Sequence, residues 1–80
     1  MHLRAEFTTE PFRGEGDPPS HAVAAREAVR RTGIEPDFGP LGTALSGDRA
    51  AVLRALTSVL DEALDEGATR ITLQVSVEDS

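Results

Sequence analysis

The chain has 80 residues, a net charge of −6 and no cysteine. A domain of this length buries only about 60% of the surface of its unfolded chain, so its core is thin. Without cysteine, neither disulfides nor thiolate-bound metals can reinforce that core. The acidic balance argues against nucleic acid, which requires a clustered positive surface. No apolar run reaches the length of a membrane span or signal segment, so we expect one cytoplasmic domain over residues 1–80, with no membrane partner.

The N-terminal segment predicts a strand followed by a loop. Side chains alternate between apolar and polar from Leu3 to Thr9, which is typical of a half-buried strand. Pro11 ends the strand. The glycines and prolines of residues 13–19 indicate a loop, to which no role is assigned.

An alanine-rich helix and a short strand come next. Ser20 is the predicted cap of the helix, which runs to about Thr32 and ends at Gly33. Residues Ile34 to Phe38 form the second strand. The predicted apolar face of the helix contains Ala22, Val23, Ala25, Ala28 and Val29.

A turn, a third strand, a long helix and a last strand complete the chain. The strand Thr43 to Ser46 follows a turn at residues 39–42, and Asp48 caps a helix that ends at Gly67. Apolar residues of this helix recur every three or four positions: Val52, Leu53, Leu56, Val59, Leu60, Ala63 and Leu64. The last strand directs four apolar residues toward the core: Ile71, Leu73, Val75 and Val77.

This order predicts an α+β fold of the ferredoxin-like βαββαβ type, with a four-stranded antiparallel sheet and two helices on one face. Right-handed crossovers place both helices on the same side and leave the other side of the sheet bare. The residues assigned to the bare face are polar and face either water or a partner: Arg4, Glu6, Thr8, Thr72, Gln74 and Ser76. Thr43 and Leu45 are further candidates from the third strand.

Several chemistries lack the residues they need. His2 and His21 have no second ligand at metal spacing, and there is no nucleophile elbow or phosphate-binding loop. The bare face has no aromatic residue on which an RNA base could stack. Acylphosphatase chemistry requires an asparagine, and the chain has none. We therefore predict no catalytic residue, no metal ligand and no enzyme.

Four segments, in order and at the right spacing, resemble the thiamine-binding protein family, small proteins formerly classed as of unknown function. They are residues 6–12 (EFTTEPF), 38–43 (FGPLGT), 46–48 (SGD) and 67–75 (GATRITLQV). The resemblance extends from Leu3 to Val77. It implies a ferredoxin-like fold and association through the sheets into a homodimer or homotetramer. It also implies binding of thiamine or its hydroxymethylpyrimidine half, without catalysis and with no cofactor beyond that ligand.

An aminopyrimidine ring needs a flat wall and a few fixed polar groups at its edge. A carboxylate accepts hydrogen bonds from the exocyclic amine, and hydroxyls or an amide serve the ring nitrogens. The residues that we assign to these roles are Glu6, Thr8, Thr43 and Gln74, with Phe38 or Leu41 as the wall. Each also has a plainer interpretation: Glu6 pairs with Arg4 or Arg70, the other polar residues face water, and Phe38 belongs to the core.

Two functions follow. The first is a non-catalytic protein that binds thiamine or its pyrimidine moiety, for transport, storage or sensing. The alternative is a structural or regulatory interaction module that uses the bare sheet face and holds no small ligand; the thin core favours it.

Overall fold

The structure, a computed structural model, describes residues 1–12, 16–39 and 42–78. The α+β class and the βαββαβ order are confirmed. No helix in the described part of the chain combines the length and the apolar character needed to cross a membrane. The elements are β1 (His2–Glu10), α1 (Ser20–Arg31), β2 (Asp37–Gly39), β3 (Gly42–Asp48), α2 (Arg49–Asp65) and β4 (Arg70–Val77).

The sheet is antiparallel, with the strand order β2-β3-β1-β4. Three long strands form its body, and β2 lies beside β3 at one edge with only three residues. The predicted second strand began at Ile34, but the strand begins at Asp37. Ile34 instead packs against the core near Gly47, and this contact takes the segment out of the sheet.

Alternation along β1 divides the molecule into two faces. Leu3, Ala5 and Phe7 are buried on the side covered by the helices. Both helices contact β1, and α2 also contacts β3. The buried residues that complete this core are Ala25, Ala28, Val29, Leu45, Val52, Ala55, Leu56, Val59, Ala63 and Ala68.

An ion pair joins the two helices at the surface. Arg31 of α1 donates a hydrogen bond to Glu62 of α2, and this bond raises the pKa of Arg31. Ser20 does not have its predicted role as the helix cap. Pro19 occupies the cap position, and the Ser20 hydroxyl donates instead to the carbonyl of Glu66, 3.2 Å away at the end of α2.

Two residues of the third strand lie on the face of the sheet opposite to the predicted one. Ala5 pairs with Leu45 and Phe7 with Thr43, so Leu45 and Thr43 lie on the helix side and not on the bare face. The bare face of β3 instead carries Ala44. Adjacent apolar residues at 44 and 45 leave the phase of this short strand ambiguous in the sequence, and pairing with β1 decides it.

Several residues predicted to face the core are exposed. On β4, Leu73, Val75 and Val77 lie on the helix side, yet 36%, 46% and 56% of their surface is accessible. The reason is that β4 is an edge strand at the margin of the helical layer. On the helices, the exposed residues are Val23 of α1 and three leucines of α2: Leu53, Leu60 and Leu64.

The predicted cap of α2 is confirmed, because the Asp48 side chain accepts a hydrogen bond from the Ala51 amide at 3.1 Å. We predict that Asp48→Ala lowers the free energy of unfolding by about 1 kcal/mol, as loss of an N-cap does. Urea denaturation measures this. The control is Asp61→Ala, an exposed acid in the second half of the same helix, where removing negative charge is neutral or slightly stabilising. Equal losses in both variants would contradict the capping role.

Candidate functional site

Three of the six predicted site residues lie together on the bare face. In the pairing of β1 with β4, Glu6 is opposite Gln74 and Thr8 is opposite Thr72. These four side chains, with part of Phe7, line a cavity of about 110 Å³. A smaller cavity of about 50 Å³ continues from Glu6 and Gln74 toward Arg4 and Ser76. The bare face therefore has a shallow depression centred on Glu6 and Gln74.

The carboxylate of Glu6 is held beside a positive charge. Arg4 Nη2 lies 3.4 Å from Glu6 Oε1, and the side chain of Glu6 is only 14% exposed, against 38% for Arg4. The predicted partnership of Glu6 with Arg4 is thus present. This carboxylate is a largely buried hydrogen-bond acceptor held beside Arg4.

Gly39 gives the Glu6 side chain its position, a role that the sequence did not indicate. Glu6 extends across β3 toward β2, and Ala44, its neighbour on β3, is completely buried although it belongs to the bare face. A Cβ atom at Gly39 would lie 2.5 Å from Glu6 Oε2. The missing side chain at residue 39 therefore creates the space that the carboxylate fills.

Thr43 lies in a different cavity. This notch, of about 170 Å³, is open where β1 continues past the start of β3, and it is lined by Phe7, Thr8, Thr9, Phe12, Ala22, Gly42 and Thr43. Phe7 and Thr8 border both the notch and the depression. At Gly42, where φ is +146°, a Cβ atom would meet the carbonyl oxygen of Phe7, so a side chain there would disturb β1.

The two candidate wall residues cannot be assigned to the site. The backbone of Phe38 pairs with Thr43. Leu41 lies outside the described residues. A larger cavity, about 320 Å³ beside Ile34 and Asp37, contains none of the six predicted residues.

His21, set aside in the sequence analysis, is a buried anchor. It is 3% exposed, with Nδ1 2.7 Å from the Thr9 hydroxyl and Nε2 3.1 Å from the Pro11 carbonyl. Because a carbonyl only accepts, Nε2 donates to Pro11, and Nδ1 shares a hydrogen bond with the Thr9 hydroxyl. His21 thereby ties the end of β1 to α1 beside the notch. A single histidine has no periodic pattern, so the sequence carried no signal for this role.

We predict that His21→Ala lowers the free energy of unfolding by about 2–4 kcal/mol, because it leaves a cavity and an unpaired carbonyl. Urea denaturation is again the measurement. His2→Ala is the control, since the His2 side chain is 51% exposed and its loss changes stability by about 0.5 kcal/mol or less. Similar losses for the two variants would show that the His21 contacts contribute nothing.

Solved structures share this fold at low sequence identity. A Streptococcus pneumoniae protein, SP2199, is 17% identical, with a TM-score of 0.76 over 99% of this chain and 89% of its own. A Bacillus cereus domain of unknown function, DUF77, is 20% identical, with a TM-score of 0.69 over 99% of this chain and 76% of its own. A Thermotoga maritima protein, TM0486, provisionally assigned to thiamine biosynthesis or salvage, is 16% identical, with a TM-score of 0.67 over 100% of this chain and 85% of its own.

No curated protein matches the sequence significantly. The profile of the thiamine-binding protein family, in contrast, matches residues 5–80 and so includes most of β1, all later elements and Glu6, Thr8 and Gln74 of the bare face. The resemblance seen in the four sequence segments is confirmed, and the chain belongs to the thiamine-binding protein family.

Proposed function

We propose that this protein binds thiamine or its hydroxymethylpyrimidine moiety without catalysis, and that it acts as a homo-oligomer in transport, storage or sensing of that ligand. The observation that carries the proposal is the cluster of Glu6, Thr8 and Gln74 in one depression of the bare face. Membership of the thiamine-binding family supplies the ligand class.

The chemistry of the depression suits an aminopyrimidine. The Glu6 carboxylate accepts hydrogen bonds from the exocyclic amine, while the Thr8 hydroxyl and the Gln74 amide both donate and accept toward the ring nitrogens. Thiamine also carries a positive thiazolium ring. A protein with a net charge of −6 attracts such a cation over distances of about 10 Å at moderate ionic strength.

The size of the depression supports an oligomeric site. Cavities of about 110 and 50 Å³ are smaller than the roughly 300–1,000 Å³ typical of pockets that enclose a drug-sized ligand. One chain therefore offers an open half-site. A second subunit placed against the bare face would supply the missing wall and exclude water from the Glu6 carboxylate.

The alternative function, an interaction module without a small ligand, is favoured by a separate observation. Six large apolar residues of β4 and α2 are exposed. Groups of exposed apolar residues are typical of surfaces that contact other proteins. They lie outside the bare sheet face, so they favour an interaction module in general and not the bare-face version predicted from the sequence.

Titration calorimetry with thiamine and with hydroxymethylpyrimidine tests the leading proposal. We expect saturable heat with at least one of the two, and an affinity about tenfold or more lower in Glu6→Gln, because the amide loses the charged acceptor. Glu27→Gln, on the exposed face of α1, is the control and should bind as the unmodified protein does. Absence of heat at millimolar concentrations of both ligands would refute the proposal and leave the interaction module.

A second variant tests the position of the carboxylate without removing its charge. In Gly39→Ala the new methyl group displaces the end of the Glu6 side chain, so we expect ligand affinity to fall about tenfold while the melting temperature changes little. Gly47→Ala is the matched control. Its Cβ atom would meet Ile34 at 3.4 Å and Val52 at 3.6 Å on the opposite side of the sheet, and should leave affinity unchanged. Unchanged affinity in Gly39→Ala would show that the ligand does not contact Glu6.

A further inference from the structure

The cavity of about 320 Å³ beside Ile34 and Asp37, the edge cavity, has the size of a small-molecule site. Pockets that enclose such ligands measure roughly 300–1,000 Å³. Glu6, Thr8 and Gln74 do not line this cavity, so the proposed thiamine site does not account for it. A molecule bound in the edge cavity would therefore be a second ligand.

The edge cavity forms where the chain has not yet joined the sheet before β2. Strand β2 pairs with β3 over three residues, and the last of these pairs joins Asp37 to Ala44. Residues 34–36 would continue the ladder, but Ile34 packs against the core and Pro36 has no amide hydrogen to donate. Beyond Ala44, β3 therefore has no partner on β2 among the described residues.

The backbone of Ser46 points toward the edge cavity. The Arg49 amide donates to the Met1 carbonyl, 3.0 Å away, so odd-numbered residues of β3 bond to β1 in a regular antiparallel ladder. Even-numbered residues then direct their amide and carbonyl groups to the other side. At Ala44 these groups face Asp37 of β2, and at Ser46 they face the cavity. One backbone donor and one backbone acceptor thus lie side by side in its wall.

Side chains of both charges also line the edge cavity. Arg4 is the β1 partner of Ser46, and Asp37 lies on β2, one rung further along the sheet. The contact of Arg4 with Glu6, at 3.4 Å, is longer than the roughly 2.7–3.2 Å of an ordinary hydrogen bond. A guanidinium has five N–H donors, so Arg4 retains donors for the cavity.

The rest of the lining is apolar or already paired. Ile34 and Leu45 contribute an apolar wall. Glu35 is 81% exposed, and its Oε1 lies 3.7 Å from Arg30 Nε, which offsets its charge. A ligand in the edge cavity therefore meets one positive group, one negative group, a backbone donor and acceptor, and an apolar surface.

We propose that the edge cavity binds a free α-amino acid with an apolar side chain. The α-carboxylate of the ligand accepts hydrogen bonds from the Ser46 amide and from Arg4, and its α-ammonium group donates to the Ser46 carbonyl and to Asp37. The aliphatic side chain of the ligand packs against Ile34 and Leu45.

A zwitterion fits this lining better than a ligand of one charge. A simple anion would lie near Asp37, and a simple cation near Arg4, and in each case the like charge disfavours binding. A neutral ligand would use neither charge. The inference goes beyond the proposed function, because it concerns another ligand in another cavity.

Titration calorimetry of the full chain with L-leucine tests the proposal. We expect saturable heat with a dissociation constant below about 5 mM. The analogue 3-methylbutylamine lacks the carboxylate, and 4-methylpentanoate lacks the ammonium group. Each should bind about tenfold more weakly or worse, because a charged group of the cavity loses its partner. No heat with L-leucine at about 10 mM, or equal affinity for either analogue, would overturn the proposal.

Variants at two positions locate the site. Ser46→Pro removes the amide hydrogen that faces the cavity, a change that edge positions of a sheet tolerate, and should weaken L-leucine binding about tenfold. Ser46→Ala is the matched control: it keeps the amide and should bind as the unmodified protein does. Asp37→Asn should also weaken binding about tenfold, and it serves if Ser46→Pro does not fold. Unchanged affinity in Asp37→Asn would overturn the proposal.

The two ligands can fail independently. Binding of L-leucine without heat from thiamine or hydroxymethylpyrimidine would refute the proposed function and leave the edge-cavity site intact. Binding of thiamine without heat from L-leucine would do the reverse.

Discussion

The position of β1 at the centre of the sheet is the constraint on which the rest of the structure depends. It pairs with β3 on one side and β4 on the other. The face of the sheet on which a β1 residue lies therefore also fixes the face of its partners in β3 and β4. Ala5 brings Leu45 into the core, while Glu6 brings Gln74 onto the bare face. A slip of one residue would exchange the two faces along all three strands. The core and the candidate site therefore share one register.

Much of the site could be predicted because β1 and β4 alternate without interruption. Period-two patterns in two long strands are enough to put Glu6, Thr8 and Gln74 on one face. Thr43 was assigned wrongly because a four-residue strand with adjacent apolar residues has no readable phase. The role of Gly39 could not be predicted, since it depends on the distance that the Glu6 side chain spans across β3.

Burial was predicted less well than orientation. Apolar periodicity identified the helix side of α2 and β4, but a pattern within one element does not say how far the next element extends over it. The leucines of α2 and the valines of β4 lie at the margin of the fold, where no other element among the described residues covers them. The family profile matches residues 5–80, which contain both the bare face and this margin. The margin formed by α2 and β4 is a separate, apolar surface.

The shortness of β2 has a consequence for how far such a sheet can grow. A sheet with two open edges can add copies at both and become a filament. Here one edge ends in three residues that include the charged Asp37, which is a poor template for another strand. The other edge, β4, has eight residues. The asymmetry between a long edge and a short one therefore limits growth through strand pairing to one side of the sheet.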